Sequence, residues 1–309
     1  MIVCVGQAMI DCIVSGGSVN VPADEIVLCP GGEAFNQASV FAVLGDKVCL
    51  SAAVGNDHAG NILRNEAERL GFELYTGGFE GRTPVSVLET DETGNRKSRI
   101  SELHYLGGFV PSLPETETEI EIVTMGSLFR PPFLDPDICL EFAKRAKERG
   151  CLLAADTKMP KGAEIRLKDY AELLCLLDYI TPNEEEARYY TGKTDPKEAA
   201  AVFRSYGVKN AVIKLAEKGC LIDSEKEGFF RLPAFPSETV DAIGAGDTFT
   251  AGMFHSLIRG SSLREAALYA SACGAVCVSQ RGAAPAPDLE ARVMTLLSHR
   301  KEEDGIKHS

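Results

Sequence analysis

The sequence predicts a doubly wound, mostly parallel α/β sheet with a small second β-sheet attached. Three observations carry that prediction. Short β-rich runs alternate with helical patterns through much of the chain, the rhythm of strand–helix–strand units. Several of the runs are apolar on both faces, as strands covered by helices on each side should be. Two stretches break the rhythm with alternating apolar and polar residues and offer no helix to cover them.

Taken in order, strands are expected at 2–5, 47–53, 122–125, 152–155, 179–181, 211–214 and 220–223. Helices are expected between them at 34–44, 59–70, 136–149, 183–191, 196–206, 246–259 and 263–278. The first exception, 11–29, reads as a short strand, a Gly-Gly turn and another strand. The second, 83–102, flanks Asp91-Glu92-Thr93-Gly94-Asn95, a hairpin turn. The organisation expected is a core of 1–10, 30–80 and 108–309 with a β lid formed by 11–29 and 81–107. A small sheet of this kind can close over a site. The charged, apolar-poor tail 300–309 reads as frayed.

A chain of 309 residues has room for one large α/β unit and an appendage. Apolar residues make up 45% and charged residues 25%, an ordinary globular composition. The net charge of −13 is spread along the chain and argues against nucleic acid, whose phosphates need a basic face. It leaves room for an anionic substrate, because a local nest of backbone N–H groups binds phosphate inside an acidic protein. No apolar run reaches the roughly 18–20 residues of a membrane span. Met1 leads straight into Ile-Val-Cys-Val-Gly without the basic start of a signal peptide, so a cytoplasmic location is expected. The ten cysteines are scattered through apolar segments without a Cys-x-x-Cys pair, and read as reduced, buried small hydrophobes.

Chemistry concentrates in Asp241-Ala242-Ile243-Gly244-Ala245-Gly246-Asp247, which runs into a helix. Small residues let successive N–H groups point at one anion, and the helix that starts there adds its positive end. Asp247, in the first turn, is an acceptor beside an anion hole, which phosphoryl transfer to a hydroxyl requires. A Gly-rich loop with an N-capping Asp fits the same residues, and taken alone the segment leaves both readings open. A second Gly-rich segment, Gly31-Gly32-Glu33-Ala34-Phe35-Asn36, lets a ligand approach the backbone and places Asn36 one turn into a helix, where it can bind hydroxyls.

Together these residues resemble the ribokinase-like (PfkB) carbohydrate kinases over nearly the whole chain. Gly6-Gln7-Ala8-Met9-Ile10-Asp11 is similar to the family's first strand, Gly31-Gly32 with Asn36 to its N-terminal signature, and 241–247 to its C-terminal one. Gly55-Asn56-Asp57-His58-Ala59-Gly60 is similar to its Gly-x-Asp-x-x-Gly turn, and Asn183-Glu184-Glu185-Glu186 to its Asn-x-x-Glu motif. The resemblance implies an ATP-dependent kinase acting on a pentose, a hexose or a keto-sugar acid. Asp247 is the implied base, with Gly244, Ala245 and Gly246 the anion hole. Asp11, Gly31, Gly32 and Asn36 are implied to hold the sugar, and Asn183, Lys214, Gly219 and Gly246 the nucleotide. Glu186 is implied to position Mg2+ through water, an ion that dehydrates reluctantly. Asp241, the Ile243 carbonyl and Gly282 match the region where many members bind K+. A homodimer through the lid is also implied.

Departures from the family pattern touch the substrate rather than the reaction. Glu33 and Phe35 are less familiar around the sugar signature, Lys214 stands where a Thr is commonest, and Ala286 lacks a hydroxyl some members offer to the cation. Arg99, His104 and Arg166 are further candidates to face the substrate. Thr191-Gly192-Lys193-Thr194 imitates the end of a Walker A motif but lacks its first Gly and closes a helix. The first strand does not lead into Gly-x-Gly-x-x-Gly, which argues against a nicotinamide cofactor. A nucleoside or vitamin kinase of the same fold, or a non-catalytic sugar- or nucleotide-binding regulator, remain the alternatives.

Overall fold

The computed structural model describes residues 1–15, 25–90, 96–100 and 108–307. Its spine is a nine-stranded sheet in the order β13-β12-β11-β10-β9-β8-β1-β4-β5. Those strands are β1 (Ile2–Gly6), β4 (Val48–Ala52), β5 (Glu73–Tyr75), β8 (Ile122–Leu128), β9 (Leu152–Thr157), β10 (Tyr179–Ile180), β11 (Asn210–Lys214), β12 (Cys220–Ser224) and β13 (Gly228–Leu232). From β11 to β5 all neighbours pair in parallel, while β12 and β13 extend the edge antiparallel. β1, β4 and β8 are buried along their whole length, the pattern of strands covered on both faces.

Helices supply the two covers. On one side lie α1 (Glu33–Val43), α2 (His58–Leu70), α7 (Ala245–Ile258) and α8 (Leu263–Val278), enclosing a core that includes Phe35, Phe41 and Phe254. On the other lie α3 (Pro136–Glu148), α4 (Ala171–Leu174), α5 (Glu184–Thr191) and α6 (Pro196–Ser205), over Phe133, Phe142 and Phe203. Truncating one such phenylalanine to alanine typically costs about 3–5 kcal/mol. The last helix, α9 (Leu289–Lys307), corrects the reading of 300–309 as a frayed tail. Buried Leu289 and Val293 dock its first turns, and once nucleated a helix continues through charged residues at low cost. Among the described residues no helix is long and apolar enough to cross a membrane.

The two stretches that break the rhythm pair with each other. β2 (Met9–Ser15), β3 (Glu25–Gly31), β6 (Val85–Thr90) and β7 (Arg96–Ile100) form a separate four-stranded sheet in the order β3-β2-β6-β7. β2 and β6 run parallel, and each is flanked by an antiparallel partner. The pairing takes in Met9 and Ile10 at one end and Pro30 and Gly31 at the other, beyond the 11–29 stretch. The expected Gly-Gly and Asp91–Asn95 turns, and His104, lie outside the described residues.

The chain fixes where a ligand can sit. From β1 it goes one way through β4 and β5, then returns to β8 on the other side of β1 and continues to β13. Strand order therefore reverses at β1 and β8, and in open α/β sheets the crevice beyond the carboxyl ends of such strands is where ligands bind.

Candidate active site

A cleft of about 1370 Å³ opens at that switch point. It is lined from β2 by Met9 and Asp11, from α1 by Gly32, Glu33 and Asn36, and from α7 by the 244–247 turn. Ser86 and Leu88 of the small sheet close another side.

The start of α7 follows from its sequence. Gly244 caps the helix in the left-handed region (φ 78), a conformation costly for residues with a Cβ. Its carbonyl accepts the Thr248 N–H at 2.8 Å. Gly246 and Asp247 stand in the first turn, where N–H groups lack an intrahelical acceptor. The carboxylate of Asp247 accepts the Asn36 side-chain amide at 2.7 Å, joining two segments 211 residues apart. Burial raises the Asp247 pKa, partly offset by Lys158 and by the Asn36 hydrogen bond.

The Gly31-Gly32 pair has two separate reasons. A Cβ at Gly31 would overlap the carboxylate of Asp11, so glycine there leaves that group its place beside the cleft. Gly32 has φ 92, and a Cβ there would lie 2.5 Å from the Gln7 carbonyl, which accepts the Phe35 N–H at 3.3 Å. The turn between β3 and α1 is thus folded tightly against β1's exit.

Lys214 is not a solvated strand-end lysine. Its ammonium donates to both carboxylate oxygens of Asp156, at 2.8 and 2.6 Å, and Thr250 donates to the same carboxylate at 2.9 Å. The lysine is 13% exposed and Asp156 3% exposed, so the pair is nearly dry. A Cβ on Gly246 would meet Lys214 Nζ at 3.4 Å, which puts this ammonium alongside the 244–247 turn. Burial opposes its charge, but Asp156 and Glu186 outweigh that and raise its pKa.

Asn183 and Glu186 form a reciprocal capping box at the start of α5. Asn183 accepts the Glu186 N–H at 2.8 Å, and Glu186 accepts the Asn183 N–H at 3.1 Å and the Thr157 hydroxyl at 2.9 Å. Burial, partly offset by Lys214, pushes the Glu186 carboxyl up. Gly219 lines the cleft near Leu215. Asp241 accepts the Ile243 N–H and the Gly282 N–H, each at 3.1 Å, so these three are brought together where Ile243 lines the cleft. Arg166 is not brought in: it pairs with Asp169 on the surface. Arg99 falls on β7.

Sequence reasoning missed one group of residues. Glu33 is buried and accepts both the N–H (2.8 Å) and the hydroxyl (3.0 Å) of Ser127. Ser127 has φ 63, at a register shift between Met125 and Leu128 in β8, and Glu33 holds that turn. Burial first, and then the Asp156 carboxylate, push Glu33 up to about 8. Glu33, Asp156 and Asp247 each bring a ligand atom within 4.8 Å of the others. Lys158 follows β9, with Nζ 3.8 Å from Glu33. The signal available was position alone: Asp156-Thr157-Lys158 sits at the carboxyl end of a predicted strand.

The donor set fits magnesium. It consists of hard carboxylate oxygens beside the glycine-rich turn that opens α7. Asp156 is engaged by Lys214 and Glu33 by Ser127, so contact through retained waters suits the ion better than a full protein cage.

Comparisons with known proteins identify the family and the fold. The family model described as pfkB family carbohydrate kinase matches residues 1–290. A ribokinase of Haemophilus influenzae is 28% identical over 285 residues, covering 87% of each chain. Probable fructokinase-7 of Arabidopsis thaliana is 28% identical over 330 residues, covering 96% of this chain and 92% of the relative. Among solved structures, ribokinase of Thermotoga maritima superposes with a TM-score of 0.78 at 26% identity, covering 96% of this chain and 99% of that one.

Proposed function

The chain belongs to the pfkB family of carbohydrate kinases and is an ATP-dependent sugar kinase, and we propose that Asp247 is the base that accepts the proton of the attacking sugar hydroxyl. The observation that carries this is the 2.7 Å contact from Asn36 to Asp247 at the first turn of α7, which joins a hydroxyl-binding amide to a carboxylate beside an anion hole.

The sugar sits against Asp11, Gly32 and Asn36, with Ser86 and Leu88 of the small sheet beside it and Gly31 leaving room for the Asp11 carboxylate. The adenine nucleotide enters from the side of Asn183, Lys214 and Gly219. The sugar oxygen attacks the γ-phosphorus in line as the bond to the bridging oxygen breaks. The electron pair leaves on ADP, and Asp247 takes the hydroxyl proton. Amides of Gly244, Ala245 and Gly246 bear charge on the moving group, and positioned donors of this kind are typically worth about 10²–10³ in rate. Magnesium, when bound, neutralises phosphate charge, with Glu186 orienting it through water.

Asp241, the Ile243 carbonyl and Gly282 are proposed to frame a potassium ion behind the anion hole. Turnover higher in potassium than in tetramethylammonium is expected, and equal rates would sink that assignment. For the reaction itself, ADP release is to be screened across pentoses, hexoses, sugar acids and nucleosides. A sugar or sugar acid should give the highest kcat/KM. A preference for nucleosides would move the protein to the alternative acceptor class.

A further inference from the structure

We propose that Lys158 is a catalytic residue whose ammonium, beside Glu33 in the cleft that Asp247 lines, contacts the phosphoryl group as it moves between ATP and the sugar. The inference rests on the kinase reading above.

Its backbone is fixed at the carboxyl end of the sheet. The Lys158 N–H donates to the Leu128 carbonyl at 3.0 Å, and its own carbonyl accepts the Tyr190 hydroxyl. The side chain extends into the cleft and is 46% exposed. Its Nζ lies 3.8 Å from Glu33, within ion-pair reach but too far for a hydrogen bond. Lys214 makes the contrast. That ammonium is committed to Asp156 through two short hydrogen bonds, whereas Lys158 makes no side-chain hydrogen bond among the described residues, which leaves its donors for an incoming ligand.

The charge balance gives the reason for such a group. Glu33 on α1, Asp156 on β9, Glu186 on α5 and Asp247 on α7 all act on Lys158. An ordinary lysine ammonium is charged at neutral pH. Of the charges acting on Asp247, Lys158 is the strongest. A triphosphate entering a cleft with these carboxylates meets repulsion that Lys214, already paired, only partly relieves. Lys158 and the 244–247 turn line the same cleft, and Glu33, which Lys158 approaches, has a carboxylate oxygen within 4.8 Å of one of Asp247, so a group transferred at Asp247 comes within reach of this ammonium.

No proton leaves Lys158 during the step. The sugar oxygen–phosphorus bond forms, the bond from phosphorus to the bridging oxygen breaks onto ADP, and Asp247 takes the proton. Lys158 offers positive charge to equatorial oxygens that carry more charge in the transition state than in ATP.

A purely structural role, neutralising Glu33, makes a different prediction. We therefore pair Lys158→Met with the double variant Glu33→Gln/Lys158→Met and read two quantities. The first is affinity for ADP and for ADP with aluminium fluoride and magnesium, by calorimetry without sugar. The second is kcat with the best sugar of the panel. Lys158→Met should bind ADP within about threefold of wild type, lose ~10²-fold in affinity for the aluminium fluoride complex, and lose ~10²–10³-fold in kcat, the range for a removed transition-state donor. The double variant should stay as slow. Undiminished aluminium fluoride binding, or wild-type turnover in the double variant, overturns the proposal. Lys158→Gln, with the same expected losses, serves if the methionine variant misfolds. Should wild type bind the aluminium fluoride complex in a Lys158-dependent way yet phosphorylate no sugar, the sugar reading fails and the Lys158 assignment stands.

Discussion

At the scale of single residues, the site depends on atoms that are missing as much as on those present. Gly31 lacks a Cβ where one would overlap Asp11, and its backbone is extended, not left-handed, so Gly31→Ala strains the carboxylate more than the chain. The sugar KM should therefore rise about tenfold, the worth of one hydrogen bond to a charged group, with the ATP KM unchanged. Steady-state kinetics in both substrates checks this, and an equal rise for ATP would place Asp11 elsewhere. The same scale shows what the sequence could disclose. Gly31, Gly32 and Asn36 lie within six residues of one another, as do Asp241, Gly244 and Asp247, so their shared chemistry is legible along the chain. Lys214 meets Asp156 across 58 residues and Glu33 meets Ser127 across 94, and no local pattern encodes those meetings. Lys214, implied by the resemblance to hold the nucleotide, is also half of a buried pair that the sequence did not disclose.

At the scale of elements, strands and helices were legible wherever apolar periodicity ran long enough to distinguish them. β5 has three residues, too few for any period, and β13 is an edge strand whose outward Phe229 packs under Lys197. What holds neighbouring elements together includes charge as well as burial. Asp178, 5% exposed, accepts Lys147 from α3 at 2.7 Å, Lys209 at 2.8 Å and the Leu153 N–H of β9 at 2.8 Å. Burial alone would raise its pKa, but the two lysines and the backbone donor lower it below its ordinary value. A carboxylate depressed on folding stabilises above its unfolded pKa, and that contribution is lost as pH falls through the folded value. Asp178→Asn should thus cost about 1–3 kcal/mol at pH 7, the range for hydrogen bonds to a charged group. The difference from wild type should shrink below about pH 4, near the unfolded carboxyl value. Urea midpoints of both proteins across this range test it, and a pH-independent difference would mean the charge is not what matters.

At the scale of the whole molecule, the small sheet stands off the core and leaves apolar surface uncovered. Ile26, Val27 and Leu28 on β3 are 64%, 36% and 56% exposed, side chains on both faces of one strand. Such a face suits a second copy of the chain. A homodimer is expected by sedimentation, with Ile26→Glu/Leu28→Glu giving monomers that keep their far-UV spectrum; wild-type monomers would remove the small sheet from that role. The strand-order reversal at β1 and β8, the glycine-rich turn that opens α7 and the Asn36–Asp247 contact converge on one cleft, and the central claim is that Asp247 is the base there. The most direct test is ADP release by Asp247→Asn beside wild type, with nucleotide affinity measured on the same samples. Turnover should fall by at least ~10²-fold, the usual share of a general base, while ATP affinity stays within a few-fold. Wild-type turnover by the asparagine variant would contradict the account.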